Sequence, residues 1–386
     1  MRQTIWTKDF IYAIFVLFCV HTGPYLLLSV ITIYGKMLSG SDTLAGMMAS
    51  VFALSGLFAR FLSAFLLDKF GAKKILIIFT ALMTIASFLY IFTSQYWQAF
   101  MLRGIQGLAY GVTCTAMSTY IVNLLDPQNR LEGIGYSSLT ANLANALGPT
   151  VAYILLGPKV DQFKTLFIVV FISVVISLFA MIPVKDARKT SVVSDKIVKP
   201  ESLNLSDVFF PFLLWAFMSL AMSSVAAFLS LSSLEKGFSN IGLYFTFNVI
   251  GLVFSRFVMK YLTDTFGQIK MICSMIVVIA LCLTGISLTN AIWQLYLIAL
   301  PFGFANGCLA PLINTMLVNQ LPSSKSGLAN AAFFAAGDAG FIIGPAFWGM
   351  VAGFTSYNTV FIISSAVCLC ALLLQLIQSK IMKGAD

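Results

Sequence analysis

Charge is scarce in this chain: Asp, Glu, Lys and Arg together make up 10% of its 386 residues, where a soluble globular protein carries about 25%. That scarcity excludes a water-soluble domain. Histidine occurs once, at His21, and the seven cysteines (Cys19, Cys114, Cys273, Cys282, Cys308, Cys368 and Cys370) sit in apolar stretches without metal-ligand spacing. They read as small hydrophobes, so neither a zinc site nor a disulfide framework is expected. No phosphate-binding lysine loop, no Gly-x-Gly-x-x-Gly after a strand and no nucleophile motif occurs. An ATP-driven pump or a membrane enzyme therefore lacks its parts, and no cofactor is expected. The first apolar run, Phe10 to Tyr34, lacks a small-residue cleavage site and reads as a retained span rather than a signal peptide.

What is abundant is apolar sequence, 59% of residues, with a mean hydropathy of +0.94. About 20 apolar residues cross the hydrocarbon layer as a helix, and such runs fall near 10–34, 43–67, 75–94, 97–121, 132–156, 165–184, 208–231, 239–262, 270–289, 293–318, 327–353 and 356–379. The expectation is an all-α integral membrane protein of twelve spans: a six-helix bundle over 1–184, a basic linker over 185–207, and a second six-helix bundle over 208–386. Assigning alternate loops to opposite sides places 16 Lys and Arg on one side and 4 on the other, with Arg60, Arg103 and Arg256 inside spans. By the positive-inside rule both termini are then cytoplasmic. The net charge of +9 is accounted for by topology and attraction to anionic lipid, not by nucleic acid.

The two halves repeat. Displaced by 196 residues, Phe58, Arg60, Phe61, Asp68, Phe70, Gly71 and Lys74 fall on Phe254, Arg256, Phe257, Asp264, Phe266, Gly267 and Lys270. The same register matches Trp97-Gln98 to Trp293-Gln294, Gly107 and Gly111 to Gly303 and Gly307, Asn123 to Asn319, and Gly148-Pro149 to Gly344-Pro345. Six spans separate equivalent positions, so the halves are parallel repeats, an arrangement found in secondary transporters with substrate held at the repeat interface.

The segment Ala64 to Lys74, containing Asp68, Lys69, Gly71, Lys73 and Lys74, resembles the Gly-x-x-x-Asp-Arg-x-Gly-Arg-Lys signature of the major facilitator superfamily, with Ala64 for the first glycine and lysine for arginine. Gly71 suits a tight turn, and an acid among bases at a helix end can latch neighbouring helices. Positive-inside bias alone explains the lysines but not the return of Asp68 and Gly71 as Asp264 and Gly267. In span four, Arg103, Gln106, Tyr110 and Thr113 share a helical face, beside a small-residue face of Gly104, Gly107 and Gly111 suited to close packing. The string Arg103-Gly104-Ile105-Gln106-Gly107 resembles the superfamily's span-four motif, whose arginine is tied to proton coupling or substrate charge; the repeat position is Ala299. The alternative for Arg103 is an arginine that snorkels to the interface. Ala144 to Pro149, and Gly340 to Pro345 in its repeat, resemble the Gly-x-x-x-Gly-Pro motif of the superfamily's exporters; without function they would be kinked packing helices.

Two further groups are candidates for protons. Asp338 is the carboxylate deepest in a span, matched by Asn142, and either carries a proton or links to the latch loop of the other half. His21 titrates in the physiological range when unperturbed, and reads as a substrate or proton group or as a packing residue. Arg60 and Arg256, duplicated at one depth, favour a scaffold role over direct substrate contact.

The resemblance spans the whole chain and implies a monomeric transporter of the cytoplasmic membrane that moves a small molecule by alternating access, in exchange for protons. It also implies a cavity lined by spans one, four, seven and ten, here His21, Thr22, Tyr25, Arg103, Gln106, Tyr110, Thr113, Trp215, Ser219, Met222, Ser223, Phe302, Asn306 and Asn314. That set holds cations but no carboxylate, so the expected cargo is an exported anionic or zwitterionic metabolite, for example a metallophore. Uptake of a nutrient, export of lipophilic cations and lysolipid flipping are the alternatives.

Overall fold

The computed structural model describes residues 5–126, 129–157, 160–184, 205–321 and 326–383; the expected basic linker lies outside these except for its last three residues. Among the described residues the chain forms α-helices and one short 3-10 turn, with no strand. The helices are α1 (Lys8–Leu28), α2 (Ile31–Ser39), α3 (Asp42–Phe70), α4 (Ala72–Leu89), α5 (Tyr96–Leu124), α6 (Arg130–Leu156), α7 (Phe163–Met181), α8 (Leu205–Glu235), α9 (Gly242–Phe266), α10 (Gln268–Leu288), α11 (Ile292–Asn319), α12 (Ser326–Phe354) and α13 (Tyr357–Lys383). Eleven of the twelve long helices are apolar enough to cross a membrane by composition alone; α5 is the one that is not.

The first span differs from its expected form. It is broken rather than continuous: α1 ends at Leu28, the Val30 amide turns back to the Leu27 carbonyl (3.2 Å), and α2 carries on to Ser39, where Gly40 closes it with φ +69°.

The chain divides into two compact units, one of residues 1–40 and 51–199 and one of residues 41–50 and 200–386. In the first, α1 packs against α5, α6 and α7, and α4 against α5 and α7. The core between them is aliphatic: Val16, Leu17, Val20, Leu76, Met83, Val112, Ala116 and Val174 are all buried. In the second, α8 packs against α12, α13 and α11, and α10 against α11 and α13. Replacing each helix by its repeat partner turns one neighbour list into the other, so the duplication read in the sequence is a duplication of packing.

Backbone detail repeats as well. Gln98 accepts from the Ser94 and Gln95 amides at the start of α5, and Gln294 accepts from Asn290 and Ala291 at the start of α11; each satisfies amides that a helix N-terminus leaves without partners. The first turns of α3 belong to the second unit for a local reason. Gly46 lies so close to the Pro345 carbonyl that a Cβ would overlap it, the Ala346 amide donates to Ser50 Oγ (3.1 Å), and the Tyr357 hydroxyl donates to Asp42 (2.5 Å).

The carbonyl end of α10 is closed by a side chain. Lys236 Nζ donates to the carbonyls of Ile286, Ser287 and Thr289 and to Thr289 Oγ1, at 3.1–3.3 Å, matching a cation to the negative end of the helix dipole. Burial pushes the Lys236 pKa below the ordinary lysine value, and Glu235 opposes the shift.

Candidate functional site

The expected face of span four exists on α5, and its arginine does not snorkel: Arg103 is 1% exposed. Arg103 Nη1 donates to Gln106 Oε1 at 2.6 Å, and the guanidinium lies over the Phe52 ring, 4.0 Å from its centroid. Among the described residues no carboxylate pairs with it. Arg103 Nε, Gln106 Nε2 and Thr113 Oγ1 are buried without a hydrogen-bond partner. Burying a charge without a counter-charge is costly, and Arg103 carries that cost on α5.

One and two turns along, the face becomes titratable. The Tyr110 ring stacks on Phe52 at 5.5 Å, and its hydroxyl is 2.7 Å from His21 Nδ1 on α1. Cys114 Sγ is 4.0 Å from the same nitrogen, and Tyr25 stands edge-on to the imidazole at 5.9 Å. These contacts join Arg103, Gln106, Tyr110, His21 and Tyr25 in one continuous group.

The glycine face of α5 makes this geometry. A Cβ at Gly107 would stand 2.5 Å from the Phe52 carbonyl oxygen and 2.9 Å from its Cα, and one at Gly111 would meet Ala59 and Gly56. The α3 backbone is thereby seated on α5 with Phe52 between Arg103 and Tyr110. Gly303 meets Asn248 and Gly307 meets Leu252 and Ser255 in the same way. A Cβ at Gly148 would stand 2.7 Å from the Tyr25 carbonyl oxygen on α1, and one at its repeat Gly344 would overlap Ser223 on α8. These glycines are close-approach positions, with Pro149 and Pro345 following inside the helices.

The second unit carries its own candidates. Trp215 stacks on Phe333, 4.9 Å apart and 13° from parallel. Ser219 lies against Gly340, with its hydroxyl buried and unpartnered, as is Asn314 Oδ1. Asn306 is half-buried. Asp338 is half-buried, hydrogen-bonded or otherwise paired, and roughly three turns from the start of α12. Of the latch positions, Asp264 and Lys74 are exposed, and Gly71 and Gly267 both take positive φ; the Asp68 side chain lies outside the described set.

Three participants escaped the sequence reading. Phe52, Cys114 and Phe333 are apolar or nearly so within apolar helices, and no polar signal marks them. Only the register of Gly107 against α3 brings Phe52 to the arginine.

The model of the Major Facilitator Superfamily matches residues 13–241 and 230–380. The chain belongs to that superfamily. Two curated relatives are the Staphylopine export protein of Staphylococcus aureus (strain Mu50 / ATCC 700699), 22% identical over 92% of each chain, and the Quinolone resistance protein NorA of Staphylococcus aureus (strain MSSA476), 22% identical over 86% of each. The fold is also that of the crystal structure of nucleoside transporter NupG, with a TM-score of 0.77 at 14% identity, covering 97% of this chain and 100% of that one. The protein is thus a multi-pass membrane transporter of the superfamily and not an enzyme.

Proposed function

We propose that this superfamily member exports a small anionic or zwitterionic organic molecule from the cell, driven by proton antiport through alternating access. The observation that carries the reading is Arg103, wholly buried on α5 with one neutral hydrogen-bond acceptor and an aromatic face for company. A cation so placed is retained at a cost in stability and is repaid when a substrate anion arrives. Direction comes from the relatives, one named for export and one for drug resistance, and from the Gly148-Pro149 motif. His21 and Asp338 are the proton candidates beside Arg103. The lining set of Tyr25, Gln106, Tyr110, Thr113, Trp215, Ser219, Asn306 and Asn314 is proposed to recognise the cargo, a metallophore being one example of the class. Asp68, Gly71 and Lys74, with Asp264 and Gly267, act as conformational latches. The chain works as a monomer in the cytoplasmic membrane with both termini inside.

Proteoliposomes bearing an imposed proton gradient test this. Carboxylate-bearing metabolites should move against protons, and Arg103→Ala should abolish that exchange while leaving the protein folded. Transport indifferent to the gradient removes antiport. Resistance to several lipophilic cations that survives Arg103→Ala replaces the anion reading with a cationic multidrug exporter.

A further inference from the structure

Phe52 holds a position that no polar chemistry explains. Its ring has the Arg103 guanidinium at 4.0 Å and the stacked Tyr110 ring at 5.5 Å, and Tyr110 holds His21 Nδ1 at 2.7 Å. The line from a permanent cation to the chain's sole histidine therefore passes through one phenyl ring. Arg103 and Tyr110 are seven residues apart on α5, about 10 Å along the axis, a gap the ring spans.

The repeat supplies an internal control. In the second unit the equivalent positions are Asn248 for Phe52, Ala299 for Arg103, Asn306 for Tyr110 and Phe217 for His21. Gly303 nonetheless seats on Asn248 as Gly107 seats on Phe52. The frame is kept and the whole line is absent, so packing does not require it.

Resting on the antiport reading above, we infer that Phe52 is a positioning residue that couples cargo at Arg103 to the proton at His21. The guanidinium is held by a ring face, an interaction that a substrate carboxylate replaces. Loss of the cation frees the Phe52 ring and, with it, the stacked Tyr110. Neutral His21 in the Nε2–H tautomer accepts the Tyr110 hydroxyl hydrogen bond at Nδ1; protonated His21 donates there instead, and the tyrosine hydroxyl must turn. Cargo binding and proton binding thus ask opposite things of one aromatic pair.

The other groups that titrate around His21 are few. From α5 they are Tyr110 and Cys114, and from its own helix Tyr25. On the other helices packed against α1, the titratable side chains that the structure describes are Tyr136, packed on Trp6 and Phe10, and Tyr153 on α6, and Lys164 in the first turn of α7.

A single histidine gives a single imidazole signal, so the full-length chain in nanodiscs, labelled at the histidine ring, reports His21 titration by magnetic resonance without any cargo. Arg103→Gln should move the midpoint by about half a unit or more. In a Phe52→Leu background the same change should move it by less than half as much, while Phe52→Trp, which restores a ring face, should restore the full displacement. An undiminished displacement in Phe52→Leu overturns the inference, as does Phe52→Trp behaving like Phe52→Leu, or a histidine that does not titrate between pH 4 and 9. Should Phe52→Leu fail to yield monodisperse protein, Phe52→Met replaces it. Because cargo is not used, this outcome stands apart from the transport assay that tests the antiport reading.

Discussion

Gly71 and Gly267 stand 196 residues apart in sequence and hold the same backbone conformation, φ +78°, ψ 156° and φ +85°, ψ 151°. Side chains avoid this region for steric reasons, and open space surrounds each position, so the cost of a substitution is conformational and not a clash. Gly71→Ala and Gly267→Ala should each lower stability by about 1–3 kcal/mol. The double variant should lose close to the sum, since the sites lie in different units. Thermal unfolding in detergent measures both; a fully neutral pair would mean that the turns relax freely.

Arg103→Ala should leave thermal stability unchanged or higher while export of carboxylate-bearing cargo falls at least tenfold, because the unpaired cation costs more than it contributes to folding. Arg103→Lys should not rescue export, since an ammonium cannot pair with Gln106 and lie flat on Phe52 at once. Turnover and melting temperature, measured on the same preparations, separate function from folding.

Gly107→Val and Gly303→Val should both lose folded protein, by several kcal/mol on the scale of overpacking, because each pushes a side chain into the backbone of the helix opposite. The yield of monodisperse protein is the measurement. Gly104→Ala, where the nearest atom is a Val51 methyl at 3.4 Å, should be tolerated.

Lys236→Met should lower the unfolding free energy by about 1–2 kcal/mol, the net worth of hydrogen bonds from a charged donor in a half-exposed place. The loss should appear as faster amide exchange in the last turn of α10, with helices of the first unit unaffected.

Asp68→Asn should lower turnover severalfold with little change in substrate affinity if the latch gates conformational change. Equilibrium binding and single-turnover transport together decide the case. A large loss of affinity at normal turnover would assign Asp68 elsewhere.

Much of this architecture is legible in the sequence because the bilayer simplifies the reading. Spans announce themselves by length, and one gapless register links Gly107 to Gly303 and Gly148 to Gly344. The face of Arg103, Gln106 and Tyr110 follows from helical spacing alone, and the Arg103 to Gln106 hydrogen bond is a contact three residues apart. Illegible were the features that depend on a second helix. Phe52 is one phenylalanine among 35, and its role exists only once Gly107 has fixed the register of α3. The break at Ser29 and Val30 was hidden because the residues around it are as apolar as the helices they separate. That Asp42 to Ser50 cluster with α12 and α13 rests on the close approach at Gly46 and on the Ser50 and Asp42 hydrogen bonds to distant residues, which no local pattern records.

The low hydropathy of α5, alone among the long helices, has a consequence for biogenesis. A helix carrying Arg103, Gln98, Gln106 and three packing glycines gains little on entering lipid by itself, and its arginine alone costs about 2.5–3.5 kcal/mol at mid-bilayer on insertion scales. Its glycine stripe is covered by α3, whose Phe52 ring also faces the guanidinium, while α1 brings His21 to Tyr110. Membrane integration of α5 should therefore be cooperative, depending on its partners being in place. A nascent chain arrested just beyond Leu124 should partition α5 only when α1 and α3 precede it, which makes the helix proposed to meet the cargo also the step at which assembly of the first unit can fail.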